Sequence, residues 1–305
     1  MTVCARAAGR VKINLMTGYE SGGPTAILLM KCPDRKGLVR ELADFISRHG
    51  GNILHADNHL DYETREFFGR FEWELDGFTI APERIADAFR PTAEKYAMEW
   101  QLHFSNEKPA VAIFVSRLAH CALDLLHRWE IGEMPGRVAA VISNHDDLRA
   151  AVERRGVPYH YFPITPQNKR MQEAKQLELL RSLKVELLIL ARYMQVFTDE
   201  FIAQYQNRAI NIHHSFLPAF VGASPYARAY ERGVKLIGAT SHYVTPHLDA
   251  GPIIEQDVVR VTHRDTLADF MRKGRDLERI VLARGVRLHL EGRVLSYANK
   301  TVVFD

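Results

Sequence analysis

The feature that most constrains this chain is an alternation beginning at residue 110. The apolar runs AVAIFVS (110–116), RVAAVISN (137–144), VPYHYFP (157–163) and VELLILARY (185–193) are separated by stretches of helical periodicity. Such runs read as strands buried on both faces. Helices between them imply right-handed βαβ crossovers, hence a mostly parallel sheet covered on both sides. The predicted helices run to Trp129, to Arg155 and over 168–183, and further strands are predicted near 209–214 and 237–244. Open α/β sheets bind ligands at the carboxyl ends of their strands. Chemistry is therefore expected after Ser116, Asn144, Pro163 and Tyr193.

Residues 25–105 carry a different pattern. TAILLMKC (25–32) is a short buried strand stopped by Pro33 and Asp34. A helix follows with Leu38, Val39, Leu42, Phe45 and Ile46 on one face, with Asp34 or a near neighbour as its cap and Gly50-Gly51 as its stop. Residues 52–61 and 65–75 read as a hairpin, Pro82 opens a helix through about Tyr96, and 97–104 closes as a strand. The order β-α-β-β-α-β is the split arrangement of ferredoxin-like domains. The polar stretch 105–109 separates the two patterns. The chain thus divides into an N-terminal extension (1–24), a ferredoxin-like domain (25–105) and a Rossmann-like α/β domain (109–305), a division that suits 305 residues.

Composition narrows the function. Forty Lys and Arg against 37 Asp and Glu leave a net charge of +3, too little for a dedicated nucleic-acid binder. Cys4, Cys32 and Cys121 are odd in number and widely spaced, which suits neither a disulfide framework nor a CxxC metal site and points to a reducing cytoplasm. The chain has no apolar run long enough to span a membrane, and its first 24 residues have no secretory apolar core. The loop after the first strand of the larger domain, Ser116-Arg117-Leu118-Ala119-His120-Cys121, lacks the glycines of a phosphate cradle, so no nucleotide cofactor is expected.

Titratable groups concentrate in 211–256, where Asn211, His213, His214, His242, His247 and Asp249 lie between apolar runs. On an extended strand Asn211 and His213 share a face, and His214 points the other way. An amide donor and an imidazole aimed at one atom make an oxyanion site. An Asp from another loop can orient that imidazole and favour its cation. A metal site competes for the same residues. Adjacent His213 and His214 do not easily face one ion from an extended strand, and there is no HExxH. Further on, a helix is predicted to turn Leu277, Ile280, Val281 and Leu288 inward, and 292–304 reads as a terminal hairpin with Asn299-Lys300 near its turn.

NIHHSFLP followed by HYVTPHLDAGPII resembles the formyltetrahydrofolate-dependent formyltransferases, whose glycinamide ribonucleotide branch carries NIHPSLLP-type and DAGPI-type motifs. The doubled histidine, SRLAHCALDLLHRW, residues 190–197 and GASPYARAYERGVKLIGATSHYV are closer to the formyltetrahydrofolate deformylase branch. Members of that branch also carry an N-terminal ACT domain, similar to CPDRKGLVRELADFISRHGGNI. The resemblance covers roughly residues 25–300.

It implies hydrolysis of 10-formyltetrahydrofolate to formate and tetrahydrofolate, balancing the one-carbon pool and supplying formate for purine biosynthesis. Asn211, His213 and Asp249 would be the catalytic trio, with His242 a second active-site histidine. Met194, Gln195, Val196 and Phe197 would receive the pteridine ring, with Thr245, Pro246, His247 and Leu248 as the opposite wall. It further implies no tightly bound cofactor, no metal and a homo-oligomer. An effector site for a small amino acid such as glycine or methionine would lie at Asp34, Gly37, Leu38 and Asn52. His120 and its bulky neighbours would fill the space in which a transferase seats an acceptor phosphate, though Arg117 can still meet an anion. Formyl transfer to an amine, and an amino-acid sensor with an inactive catalytic domain, are the alternatives.

Overall fold

The computed structural model describes residues 23–219 and 225–304. All but the last two positions of the 1–24 extension, and with them Cys4, lie outside the described residues. The N-terminal unit runs β1 (Thr25–Pro33), α1 (Leu38–Arg48), β2 (Ile53–Asp61), β3 (Glu66–Glu74), α2 (Pro82–Lys95) and β4 (Glu99–Phe104). Its antiparallel sheet has the order β2-β3-β1-β4. Alternate residues of β1 divide between two cores, as a period of two demands. Ala26, Leu28, Met30 and Cys32 pack beneath Leu42 and Ile46 of α1 and Ile85 and Phe89 of α2. Leu29 faces the other way.

Two details of α1 differ from the sequence reading. Val39 is exposed, because Leu38, Leu42, Phe45 and Ile46 already complete the buried stripe. No side chain caps the helix. Gly37 stands at its N-cap with φ +92°, a left-handed conformation that glycine adopts without strain. Asp34 instead receives Arg65, with its backbone N–H on the Arg65 carbonyl and its carboxylate 3.9 Å from the guanidinium.

The larger unit continues with β5 (Ala110–Val115), α3 (His120–Glu130), β6 (Arg137–Ser143), α4 (Arg149–Glu153), β7 (Tyr159–Tyr161), α5 (Lys169–Ser182) and β8 (Val185–Leu190). Then come α6 (Asp199–Ile202), β9 (Ala209–His213), α7 (Pro225–Arg232), β10 (Leu236–Tyr243), β11 (Ile253–Arg260), α8 (Leu267–Leu290), β12 (Val294–Tyr297) and β13 (Lys300–Val303). The sheet order is β11-β10-β9-β8-β5-β6-β7. From β7 to β9 all neighbours are parallel; β10 and β11 are antiparallel additions. The strand order reverses between β5 and β8, which is where such sheets open a crevice. One core cluster lies under α3 and α8, another under α5 and α6. The helix predicted to reach Arg155 is confined to the short α4, and Ile280 of α8 is exposed while Leu277 and Val281 are buried.

The terminal hairpin β12–β13 does not pack within its own unit alone. Leu295, Tyr297 and Phe304 cover Leu29 and Phe68, closing the face of the N-terminal sheet opposite its helices. This is why β1 is buried on both faces although it belongs to an antiparallel sheet.

Candidate active site

A cavity of about 610 Å³ opens beside the ends of β8 and β9. Its walls are the 192–197 loop, Asn211 to His214, the start of α7, His242 with the loop that follows β10, and Leu267 and Met271 of α8. Each wall has a local cause. The 192–197 loop is pinned at the switch point, where Ser116 Oγ donates to Asn144 Oδ1 (2.7 Å) and accepts the Met194 N–H (3.0 Å). Thr198 closes the loop by donating its hydroxyl to the buried Glu173 carboxylate at 2.5 Å. Phe197 stacks on Phe201 with ring centroids 4.0 Å apart and is buried, whereas Met194 and Val196 are exposed.

Asn211 and His242 are paired directly across the β9–β10 ladder, so their side chains meet. Asn211 Nδ2 lies 3.2 Å from His242 Nε2. His242 Nδ1 lies 2.9 Å from the Tyr243 carbonyl, which can only accept. Nδ1 therefore carries the proton and Nε2 accepts from Asn211. Burial lowers the His242 pKa, in keeping with a neutral ring. Among the described residues this leaves Asn211 one amide hydrogen uncommitted.

The turn after β9 is held from β10. Thr240 Oγ1 donates to the Ser215 carbonyl (2.8 Å) and accepts the Leu217 N–H (3.1 Å). The loop from Val244 to Pro252 is anchored at both ends, by Val244 N–H to the Ala209 carbonyl (2.8 Å) and Tyr243 N–H to the Pro252 carbonyl (2.9 Å). Asp249 has φ +54°, a conformation Asp and Asn tolerate better than most residues. Two positions on, a Cβ on Gly251 would stand 1.8 Å from the Tyr243 carbonyl oxygen, so only glycine fits.

The loop delivers the Asp249 carboxylate to both histidines, 3.2 Å from His213 Nδ1 and 3.8 Å from His242 Nε2. Burial would raise the Asp249 pKa, but the hydrogen bond from His213 outweighs it and holds the carboxyl below its ordinary value. The second ring nitrogen of His213, Nε2, is buried with no hydrogen-bond partner among the described residues. Buried polar atoms are nearly always paired, so an orphan beside a cavity calls for a polar atom from elsewhere.

The structure thus gathers Asn211, His213, His242 and Asp249, with Met194 to Phe197, Thr245, His247 and Leu248, around one cavity. Pro246 is absent from the cavity wall. His214 departs from the sequence reading. It lies just past the strand end, so alternation no longer applies, and it borders the same cavity with its ring 5.0 Å from that of His213. Burial, followed by the charges of Arg192 and His213, brings its pKa down to about 3, so it is a neutral ring.

Sequence reasoning missed a buried knot behind His214. Glu278, 1% exposed, accepts from Tyr226 Oη (2.6 Å), pairs with His120 Nε2 (2.7 Å) and lies 3.5 Å from Arg192 Nε. Burial would raise the Glu278 pKa, but His120, Arg192 and Tyr226 together bring it below its usual value. Its one sequence signal is Gly274, a helical turn earlier, where a Cβ would come within 2.5 Å of Tyr226 ring atoms. His120, Cys121 and Glu278 also bring ligand-type atoms within 4.8 Å of one another. The adjacent Arg192 guanidinium and the hydrogen bonds already made fit a neutralised carboxylate rather than a cation seat.

The N-terminal residues named from the resemblance lie elsewhere. Leu38 is buried in the core under α1, Gly37 and Asn52 are exposed, and Asn52 Nδ2 donates to Glu74 Oε2 at 2.9 Å.

The Formyl transferase family profile matches residues 110–286. The formyltetrahydrofolate deformylase of Synechocystis is 52% identical over 280 residues, 92% of this chain and 98% of that protein. That of Bacillus subtilis is 49% identical over 279 residues, 91% and 93% of the two chains. The crystal structure of a formyltetrahydrofolate deformylase from Pseudomonas syringae superposes with a TM-score of 0.92 at 48% identity, covering 94% of this chain and 96% of that one. On these matches, the chain belongs to the formyltetrahydrofolate deformylase family.

Proposed function

We propose that the protein hydrolyses 10-formyltetrahydrofolate to formate and tetrahydrofolate, with Asn211, His213 and Asp249 as its catalytic groups. The observation that carries the reading is the convergence of three side chains, one of them from a separate loop, beside a cavity large enough for a pterin. Water adds to the formyl carbon, which becomes tetrahedral, and the carbonyl electron pair moves onto the formyl oxygen as an oxyanion. The uncommitted Asn211 amide hydrogen and protonated His213 Nε2 donate to that oxygen. Asp249 holds Nδ1, fixing the ring with Nε2 toward that oxygen, and helps to take the proton from water. N10 leaves with a proton relayed through the pair. The exposed Met194 and Val196 and the backbone of 194–197 form one wall for the pteridine, and Thr245, His247 and Leu248 the other.

The same reading makes residues 25–105 an ACT domain and 109–305 the formyltransferase-fold catalytic domain. It gives Asp34, Gly37, Leu38 and Asn52 to a small amino-acid effector, a homo-oligomer to the working enzyme, and the cytoplasm to its location. The buried free thiols of Cys32 and Cys121 accord with a reducing compartment, and among the described residues no helix is long and apolar enough to cross a membrane. Incubation of the purified protein with 10-formyltetrahydrofolate alone is expected to release formate and tetrahydrofolate in equal amounts. Adding glycinamide ribonucleotide tests the transferase alternative. Formylation of that amine faster than hydrolysis would displace the hydrolase reading.

A further inference from the structure

Asn211 and His213 sit on an interior strand, but Asp249 reaches them from a loop whose outer side is gripped by the far end of the chain. Asn299, at the turn of β12–β13, donates its Nδ2 hydrogen to the Ala250 carbonyl at 2.9 Å. Thr301 Oγ1 donates to the Ile253 carbonyl at 2.5 Å. These two bonds straddle Gly251, the residue pressed onto the Tyr243 carbonyl, and the first falls on the residue next to Asp249.

The hairpin that makes these bonds is itself anchored on the N-terminal sheet. Tyr297 lies over Phe68 with ring centroids 4.5 Å apart and donates its hydroxyl to Asp61 Oδ2 at 3.0 Å. Leu295 and Phe304 share that apolar seat. An isolated two-stranded hairpin is marginal in water, so its position is set by what it packs on.

We propose that Asn299 and Thr301 are positioning residues. Through them the terminal hairpin straps the Asp249 loop to the N-terminal sheet and sets the reach of the carboxylate to His213 Nδ1. The inference rests on the catalytic reading of Asp249.

The test is a double-mutant cycle. Asn299→Ala and Thr301→Val are combined, and the pair is placed in the parent chain and in an Asp249→Asn background. Formate release from 10-formyltetrahydrofolate gives kcat and KM, and thermal melting reports the fold. Each substitution removes one hydrogen bond, so the pair is expected to lower kcat about tenfold in the parent. Where the carboxylate is already gone, the same pair is expected to change kcat less than about twofold, because residues acting through one another are non-additive. Asn299→Asp keeps the shape and loses the donor, so it should reproduce Asn299→Ala. An unchanged kcat in the parent overturns the proposal, and so does an equal loss in both backgrounds. If Asp249→Asn itself matches the parent, the catalytic reading fails instead, a result visible before the cycle is read.

Discussion

Replacing Asp249 by Asn isolates the charge of one carboxylate from everything else the residue does. The choice of Asn follows from the backbone. At φ +54° an alanine would add strain of its own, whereas Asn tolerates the left-handed region and keeps the side-chain shape. What is lost is the interaction with His213 Nδ1 at 3.2 Å. A hydrogen bond to a charged group contributes about 1.5–3 kcal/mol. Coulomb attraction between unit charges at that separation, with an effective dielectric constant of about 20, sets an upper bound of about 5 kcal/mol. At 1.36 kcal/mol per decade these limits predict a kcat lower by at least about tenfold and at most about 10⁴-fold. The longer 3.8 Å approach to His242 adds little, since that nitrogen accepts from Asn211. Formate release under saturating folate is the assay, with circular dichroism and melting to show an intact fold. A folded Asp249→Asn protein within about threefold of the parent kcat would refute the argument that this carboxylate holds and orients His213.

Asn211→Ala removes one oxyanion donor and is expected to lower kcat by about 100-fold or more, or about 2.7–4 kcal/mol, with the melting temperature little changed; parent-rate hydrolysis would show the trio to be misassigned. Gly251→Ala sets a Cβ 1.8 Å from a backbone oxygen, so the loop must shift and carry Asp249 with it. A displacement of about 1 Å costs on the order of 100-fold, read as kcat in the folded variant. His214 predicts acid sensitivity. Its folded pKa of about 3 lies below the unfolded value of about 6.5. Between those values the unfolded chain binds more protons, so stability falls as pH drops through this window. Urea denaturation at pH 7 and pH 5 should show the loss, and His214→Gln should reduce it, the remainder coming from the other histidines that burial depresses, His289 (to about 4), His242, His103 and His160; an undiminished loss in His214→Gln would refute the depressed pKa of His214.

Legibility in the sequence followed the range of the interactions concerned. Strands β5, β6 and β8 are continuous apolar runs, and their burial needs only local pattern. The shared face of Asn211 and His213 follows from a period of two. His214 escaped the same rule because the strand ends at His213, a boundary set by the Thr240 hydroxyl from another strand. Glu278 stands among the charges of RKGRDLERI, and nothing local reveals that Tyr226 and His120 reach it. His242 opposite Asn211 is a matter of cross-strand register, which spacing along one chain does not fix. Asp34 looked like a helix cap, yet it is held by Arg65 from the β2–β3 turn.

The division near residue 107 separates two patterns of secondary structure, but one apolar cluster crosses it. The N-terminal sheet grips the larger unit at the end of the chain. Arg70, buried on β3, donates to the Gly292 carbonyl just past α8 at 3.0 Å while pairing with Glu72 at 2.9 Å. The hairpin follows immediately, with Tyr297 on Phe68. One step inward, His289 of α8 lies 2.7 Å from the hydroxyl of Tyr243, whose neighbour His242 holds Asn211. These contacts meet the site unequally. Asn211 lies on β9 in ladders with both β8 and β10, and His213 two residues on is held in the β10 ladder, so moving either means breaking sheet hydrogen bonds. Asp249 is held by its loop anchors, by the hairpin turn and by His213 itself. A shift of the N-terminal sheet would therefore reach the Asp249 carboxylate before it reached Asn211 and His213.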